Sequence, residues 1–299
     1  MKALVTGATG FIGRHLVKRL QGAVVLTRDP AKARRILGEV TAIRWDPLAG
    51  PPPAEAFAGV DTVFNLMGDP VVEGRWNPVK LKAIRDSRVI GTRHLIVGMA
   101  AAPTRPRVLV SASGVGYYGN RGDLILDEGS APGEDTMAGV CKEWEAEARV
   151  AAAAGMRVVC IRTGIALGRT GGGLAQMLLP FRLGLGGRLG SGRQWMSWIH
   201  LDDLVALYLA AADREDLSGT LNGVAPEPVT NADFTRALGD AVNRPTIFPV
   251  PEFVLRLAFG GVAEVMLGSQ RVLPRTAEQA GFTFAHPKLA PALKAILAG

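Results

Sequence analysis

Short apolar runs rich in β-branched residues alternate along this chain with stretches whose apolar positions recur every three or four residues. "KALVTG", "AVVLTR", "VDTVFNLMG", "RVLVSAS" and "MRVVCIRTG" are five such runs, and "VTAIRW" is a weaker sixth. Each is continuously apolar rather than alternating, the pattern of strands buried on both faces of a parallel sheet. The amphipathic stretches between them, "FIGRHLVKRL", "KLKAIRDSRVIGTRHLIVGMAAA" and "AGVCKEWEAEARVAAAAG", predict helices, the last closed by Gly155 as a C-cap. This alternation predicts an α/β fold, a Rossmann-type doubly wound parallel sheet. "PLAGPPPAEAFAG", with four prolines, reads as a surface connection.

After about Gly168 the pattern changes. "GRTGGGLAQ" and "GRLGSGRQ" are glycine-rich loops, and "VTNADFTRALGDAVNRP" reads as a helix capped by Thr230 or Asn231, with Pro245 beyond its end. The expected division is a nucleotide-binding domain over residues 1–168 and a smaller, mostly helical substrate lobe over 169–299, with some elements shared. Loops of that lobe can close over the carboxyl edge of the sheet, where ligands of open α/β sheets bind.

Composition narrows the class. At 299 residues and 48% hydrophobic the chain can bury a large core. Its start, "MKALVTG", lacks the apolar region of a secretory signal, and no run approaches the ~18 apolar residues needed to span a bilayer. Cys141 and Cys160 form no spaced framework and read as free thiols of a reducing, cytoplasmic compartment. His15, His94, His200 and His286 lack i, i+4 pairing, so no metal site is expected. The net charge of +7 comes from dispersed arginines without a nucleic-acid-binding motif, and a basic surface of this kind suits phosphorylated small molecules. The expected partner is thus a small-molecule substrate, with neither nucleic acid nor membrane.

The chemistry begins at "VTGATGFIG". Gly7, Gly10 and Gly13 follow the first strand and open the first helix. Gly7 permits the tight turn, Gly10 the approach of a pyrophosphate, and Gly13 close packing of helix on strand. At the end of the second strand "LTRDP" offers both Arg28, suited to a 2′-phosphate, and Asp29, suited to a ribose 2′-hydroxyl. Arg28 directly follows Thr27 and has Lys32, Arg34 and Arg35 nearby, which favours NADP(H).

"TGATGFIG", "NLMGDPV", "RWNPVK", "SRVIGTR", "SASGVGYYG", "CKEWE", "LLPFRLGLGGRLGSGRQWMSWIH", "LNGVAPEPVTN" and "RVLPRTAEQAGF" run nearly end to end in the order of one family. On these islands the chain resembles the extended short-chain dehydrogenases/reductases, and within them an NADP(H)-binding epimerase-family branch. The resemblance implies that Thr9, Gly10, Phe11 and Ile12 line the pyrophosphate, and that Thr27 and Arg28 meet the adenosine phosphate. Leu66, Met67 and Gly68 would lie on the adenine-ribose side, with Arg88 and Ser111 contacting cofactor and Ala166 near the nicotinamide. Ser113 would be the catalytic serine and Lys142 the lysine that binds cofactor and tunes the proton donor. A homodimer through the helix after "NPVK" and the helix around Lys142 is a further implication.

The resemblance has one defect. Four residues before Lys142, where the family's tyrosine transfers the proton, stands Ala138. Tyr117 and Tyr118, or Asp127 and Glu128, could move the proton instead; Ser113 with water could suffice; or the protein binds NADP(H) without turnover, as a sensor or scaffold. The tyrosines could equally pack on the second lobe. His200 reads as a loop-fixing residue, Asp202 and Asp203 as the start of a helix, and Trp195 and Trp198 as either stacking or packing groups. The balance favours an enzyme that reduces or epimerises a small carbonyl- or hydroxyl-bearing, sugar-like substrate, with reduction ahead because NADP(H) suits net hydride donation.

Overall fold

A computed structural model describes residues 1–298. The first half alternates as expected: β1 (Ala3–Thr6), α1 (Phe11–Arg19), β2 (Val24–Thr27), α2 (Pro30–Leu37), β3 (Thr41–Arg44), β4 (Thr62–Asn65), α3 (Pro78–Ala101) and β5 (Val108–Gly114). There follow β6 (Ile125–Leu126), α4 (Thr136–Arg149), β7 (Arg157–Thr163), β8 (Ile165–Leu167), α5 (Gly172–Arg182), β9 (Trp195–Met196), β10 (Trp198–His200), α6 (Leu201–Asp213) and β11 (Gly219–Gly223). The chain closes with β12 (Val229–Thr230), α7 (Asn231–Ala241), α8 (Glu252–Phe259), α9 (Val262–Leu267), β13 (Arg271–Val272), α10 (Arg275–Gln279) and α11 (Leu289–Ala298).

Seven strands form one parallel sheet in the order β11-β7-β5-β4-β1-β2-β3. The order reverses between β1 and β4, and that junction is the switch point where a ligand crevice opens. Successive side chains of each strand enter opposite layers: Val5 and Val110 pack with α1 and α6, while Leu4 and Leu109 pack with α3. Both layers are buried, which explains why the strands read as unbroken apolar runs.

The boundary expected at residue 168 does not divide the sheet. β11 pairs with β7 through Gly219↔Val159 to Gly223↔Thr163, and α6 covers the same face as α1. "GTLNG" has no β-branched run, because its burial comes from neighbours rather than from its own composition. Beyond the sheet, α5, α7 and α11 surround a separate core containing Leu174, Trp198, Phe234 and Leu293. Short ladders join the two parts, β10 to β8 and β13 to β6. Asp203 at the start of α6 accepts the backbone N–H groups of Ala285 and His286, tying the last segment down.

Helices α3 and α4, which the resemblance marks for a dimer, pair their charges within the chain: Arg85 with Glu143 and Arg93 with Glu147. Among the described residues no helix is long and apolar enough to cross a membrane.

Candidate functional site

The glycine turn has the geometry its spacing predicts. Gly7 adopts φ +65°, and a Cβ there would sit 2.5 Å from the Leu66 carbonyl oxygen. A Cβ on Gly13 would lie 2.3 Å from the Gly7 carbonyl oxygen and 2.7 Å from Ala8 Cα. Gly10 stands extended at the N-cap of α1 with its N–H on the Gly7 carbonyl, leaving the first N–H groups of the helix directed at the switch point. Thr9 and Ile12 are half-buried beside it. Phe11, also half-buried, lies against the 168–172 loop, since Cβ atoms on Gly168, Gly171 or Gly172 would meet its ring within 2.8 Å. The second glycine-rich loop thus closes on the first, and Arg14 fastens it through Thr170.

At the end of β2 the choice between Arg28 and Asp29 is resolved by a helix. Asp29 is the N-cap of α2, its Oδ1 accepting the Lys32 N–H at 2.9 Å. Arg28 is exposed, with no hydrogen bond or ion pair among the described residues. Across the ladder Thr27 pairs with Arg44, a second exposed arginine that sequence reasoning missed. A cavity of about 370 Å³ lined by Arg44, Trp45 and Asp46 adjoins this corner. The missed signal was an arginine ending the third strand in register with Thr27. Arg34 is spent on the Ala42 carbonyl.

On the other side of the switch point Leu66 is half-buried and Met67 buried against Gly91 and Pro47. Gly68 leaves room for Arg88, whose guanidinium carbon would be 2.8 Å from a Cβ there. Arg88 donates to the carbonyls of Asp69 and Ile84, and its guanidinium lies 5.1 Å from the Trp144 ring. Burial pulls its pKa below the usual arginine value, and no carboxylate bonds it among the described residues. A half-buried cation without a bonded carboxylate retains capacity for an anion. Ser111, by contrast, is fully buried and accepts from Asn65 Nδ2 at 3.2 Å, in a network with Thr6 and Thr92. It joins strands rather than lining the cleft.

Ser113 ends β5 and donates to Glu145 Oε1 at 2.8 Å. Arg162 of β7 clamps the same carboxylate through Nε at 2.7 Å and Nη2 at 2.9 Å, and Arg149 adds a third bond. Burial would push the Glu145 carboxyl up, but the arginine bonds outweigh it and hold its pKa down. Arg162 Nη1 continues to the Tyr118 hydroxyl at 3.0 Å, which donates to Asn222 Oδ1 at 2.7 Å. Tyr118 is fully buried, and that burial raises its pKa to about 12. Tyr117 is half-buried with Arg162 Cζ 3.3 Å from its ring centroid, and its hydroxyl makes no hydrogen bond among the described residues. The glutamate–arginine pair was missed because the motif positions drew attention to Lys142, three residues before Glu145.

Lys142 follows Ala138 by four residues on α4, so the two share one side of the helix. Lys142 is exposed, without a hydrogen bond or ion pair among the described residues, while Cys141 and Glu145 are buried. Ala138 is fully buried, its N–H held by Asp135 Oδ1. Asp127 is exposed and bound to Ser130, and Glu128 Oε1 accepts the Asn222 N–H. Ala166 sits half-buried in β8 against the Gly172 turn. The free thiols are buried, which raises Cys141 to about 11 and Cys160 to about 12, so neither is a nucleophile. Two histidines without sequence pairing do meet: His200 and His286 stack at 3.8 Å beside Asp202. The ligand atoms of His200, Asp202 and His286 lie within 4.8 Å of one another.

A doubly wound sheet with this glycine turn at its switch point and a serine ending β5 defines an extended short-chain dehydrogenase/reductase. The chain belongs to the NAD dependent epimerase/dehydratase family, whose model matches residues 3–222, while residues 250–296 match a domain of unknown function, DUF1731. It is 41% identical over 318 residues to the epimerase family protein SDR39U1 homolog of Arabidopsis thaliana, covering 99% of this chain and 87% of that one. The human epimerase family protein SDR39U1, crystallised with NADPH, superposes with a TM-score of 0.89 at 36% identity, all of both chains being covered. A nucleoside-diphosphate sugar epimerase of Corynebacterium glutamicum matches with TM-score 0.80 at 34% identity, over 99% of this chain and 58% of that chain.

Proposed function

We propose that this chain binds NADP(H) along the carboxyl ends of β1, β2, β4 and β5 and acts as an oxidoreductase on a small carbonyl- or hydroxyl-bearing substrate. One observation carries the cofactor choice. Asp29 is committed to capping α2, whereas Arg28 and Arg44 stand free at the same corner, so the site offers positive charge and no spare carboxylate. NADPH crystallised with human SDR39U1 supports the same reading.

The residues fit the cofactor part by part. The N–H groups opening α1, with Thr9, Gly10 and Ile12, would hold the pyrophosphate, and Phe11 would hold the covering loop. Arg28, Arg44 and Thr27 would take the 2′-phosphate, Leu66 to Gly68 the ribose side, and Arg88 the anionic face between. Bound there, the cofactor supplies hydride. Ser113, whose O–H is given to Glu145, would accept from a substrate hydroxyl, and Tyr117 would supply to the substrate oxygen the proton that the family takes from the residue now replaced by Ala138. Arg162 holds the Tyr117 ring and sets a positive charge beside the charge that develops as the proton leaves. Lys142, exposed and without a partner among the described residues, would bind the ribose of the nicotinamide.

Calorimetry with NADPH and NADH tests the cofactor. NADPH consumption over a panel of small aldehydes, ketones and nucleotide-linked keto sugars, with and without Tyr117→Phe, tests the chemistry. A second reading, binding without turnover, draws on Ala138, which cannot pass a proton. It predicts tight NADPH binding and no consumption with any member of the panel.

A further inference from the structure

The second lobe bears an apolar face that neither the sheet nor the cofactor reading uses. Leu183, Leu185, Ile247, Phe248, Phe253 and Leu257 are each 64–74% exposed. They form one surface because the segment before α8 runs beside the segment after α5: Val250 N–H bonds the Arg188 carbonyl, Gly190 N–H bonds the Val250 carbonyl, and Arg244 Nε bonds the Arg182 carbonyl. Only Leu255 of α8 is buried. Six large side chains exposed to this degree exceed what a soluble monomer ordinarily leaves bare in one place.

The rim decides what fits. Arg182, Arg188, Arg244 and Arg256 border the face, and the acidic Glu252 beside them is paired with Arg256 at 2.7 Å. Beside Ile247 opens a cavity of about 250 Å³ lined by Arg188, Arg236, Thr235 and Thr246. Arg236 is held from below by Asp233 at 3.3 Å, and Arg188 has no acidic partner among the described residues. Two guanidinium groups and two hydroxyls around a small cavity suit a phosphate group, with apolar side chains immediately alongside. A second copy of the chain would bring an equally cationic rim against this one, which like-charge repulsion disfavours.

We propose that this face docks peripherally on an anionic phospholipid surface. The arginine-lined cavity takes a lipid phosphate, and the phenylalanine and leucine side chains enter the interface between headgroups and acyl chains. The chain lies on the bilayer without crossing it.

Flotation of the full chain with vesicles tests this. Binding is expected to phosphatidylcholine vesicles containing phosphatidylglycerol and not to phosphatidylcholine alone, and it weakens as salt is added. The double substitution Phe253→Glu with Leu257→Glu abolishes flotation while leaving thermal unfolding and NADPH affinity unchanged. Arg188→Glu lowers partitioning by roughly fivefold or more. Flotation that survives the double substitution, or no flotation with either vesicle, overturns the proposal. So does a dimer in light scattering that the double substitution splits without any vesicle binding, which would assign the face to a second copy. Inorganic phosphate bound at Arg188 without vesicle binding would reduce it to a site for the free anion.

Discussion

Arg28 and Asp29 are neighbours with opposite charges, and their backbone contexts give them opposite tasks. Capping occupies the aspartate, so charge reversal next door should invert the coenzyme preference: Arg28→Asp is expected to weaken NADPH about 10–100-fold, the worth of a charge-assisted contact, and to spare NADH, as read by calorimetry. Unchanged NADPH affinity would refute the assignment. The adjacent tyrosines divide in the same way. Tyr117→Phe should lower kcat by about 10²–10⁴ with little change in unfolding temperature. Tyr118→Phe should instead destabilise the fold by about 1–3 kcal/mol, because Asn222 and Arg162 lose a buried partner. Equal effects of the two substitutions on turnover would contradict this division. Both tyrosines were visible in the sequence as candidates, but nothing in their spacing could tell them apart. Burial and the register of Asn222 across the β7–β11 edge did so.

Two buried titrating groups set the acid limit at this scale. Burial, then the stacked His286, lowers the His200 pKa below its ordinary 6.5. The unfolded chain therefore takes up that proton more readily, so stability is full above about pH 6.5 and declines as the pH falls below it. Glu145, also held low, adds a second loss on acidification below its ordinary 4.5. Thermal unfolding followed from neutral to acid pH should show the first decline shrink in His286→Ala, which removes the like charge. A decline that is unchanged in that variant would place its origin elsewhere.

Among the elements, the glycine turn carries the sharpest constraint. Gly7→Ala meets both a positive φ and the Leu66 carbonyl, and Gly13→Ala meets the Gly7 carbonyl, so each should cost on the order of 1–3 kcal/mol and abolish NADPH binding. A variant that retains affinity would show that the turn does not hold the pyrophosphate. Six strands of the sheet were legible from their apolar runs, even the weak β3, since central parallel strands must be apolar on both faces. β11 was not, because a glycine-bounded strand gains its burial from β7, α6 and α10 rather than from its own composition. Helix α4 was legible as a helix, but its rotation was not. Periodicity sets which residues share a face, and burial shows that Ala138, Cys141, Trp144 and Glu145 lie on the inner one.

For the whole molecule, the junction between the two parts governs access to the cleft. Phe11 beneath the Gly168–Gly172 loop and the Arg14–Thr170 bonds join the phosphate turn to the second lobe. Phe11→Ala should therefore increase amide exchange across residues 168–172 and weaken NADPH, while protection of β4 and β5 stays as it is. Exchange that rises only within α1 would argue against coupling between the loops.

By itself the sequence determined the alternation of strand and helix, the family, the glycine turn and the cationic corner at Arg28, because each of these is written in residues adjacent along the chain. Tertiary structure alone decided which of two tyrosines is free, which face of α4 looks inward, that Arg44 joins Arg28, and that Glu145 and Arg162 support Ser113. Those relations join residues far apart in sequence, and they depend on strand register, helix rotation and burial, which local patterning does not specify.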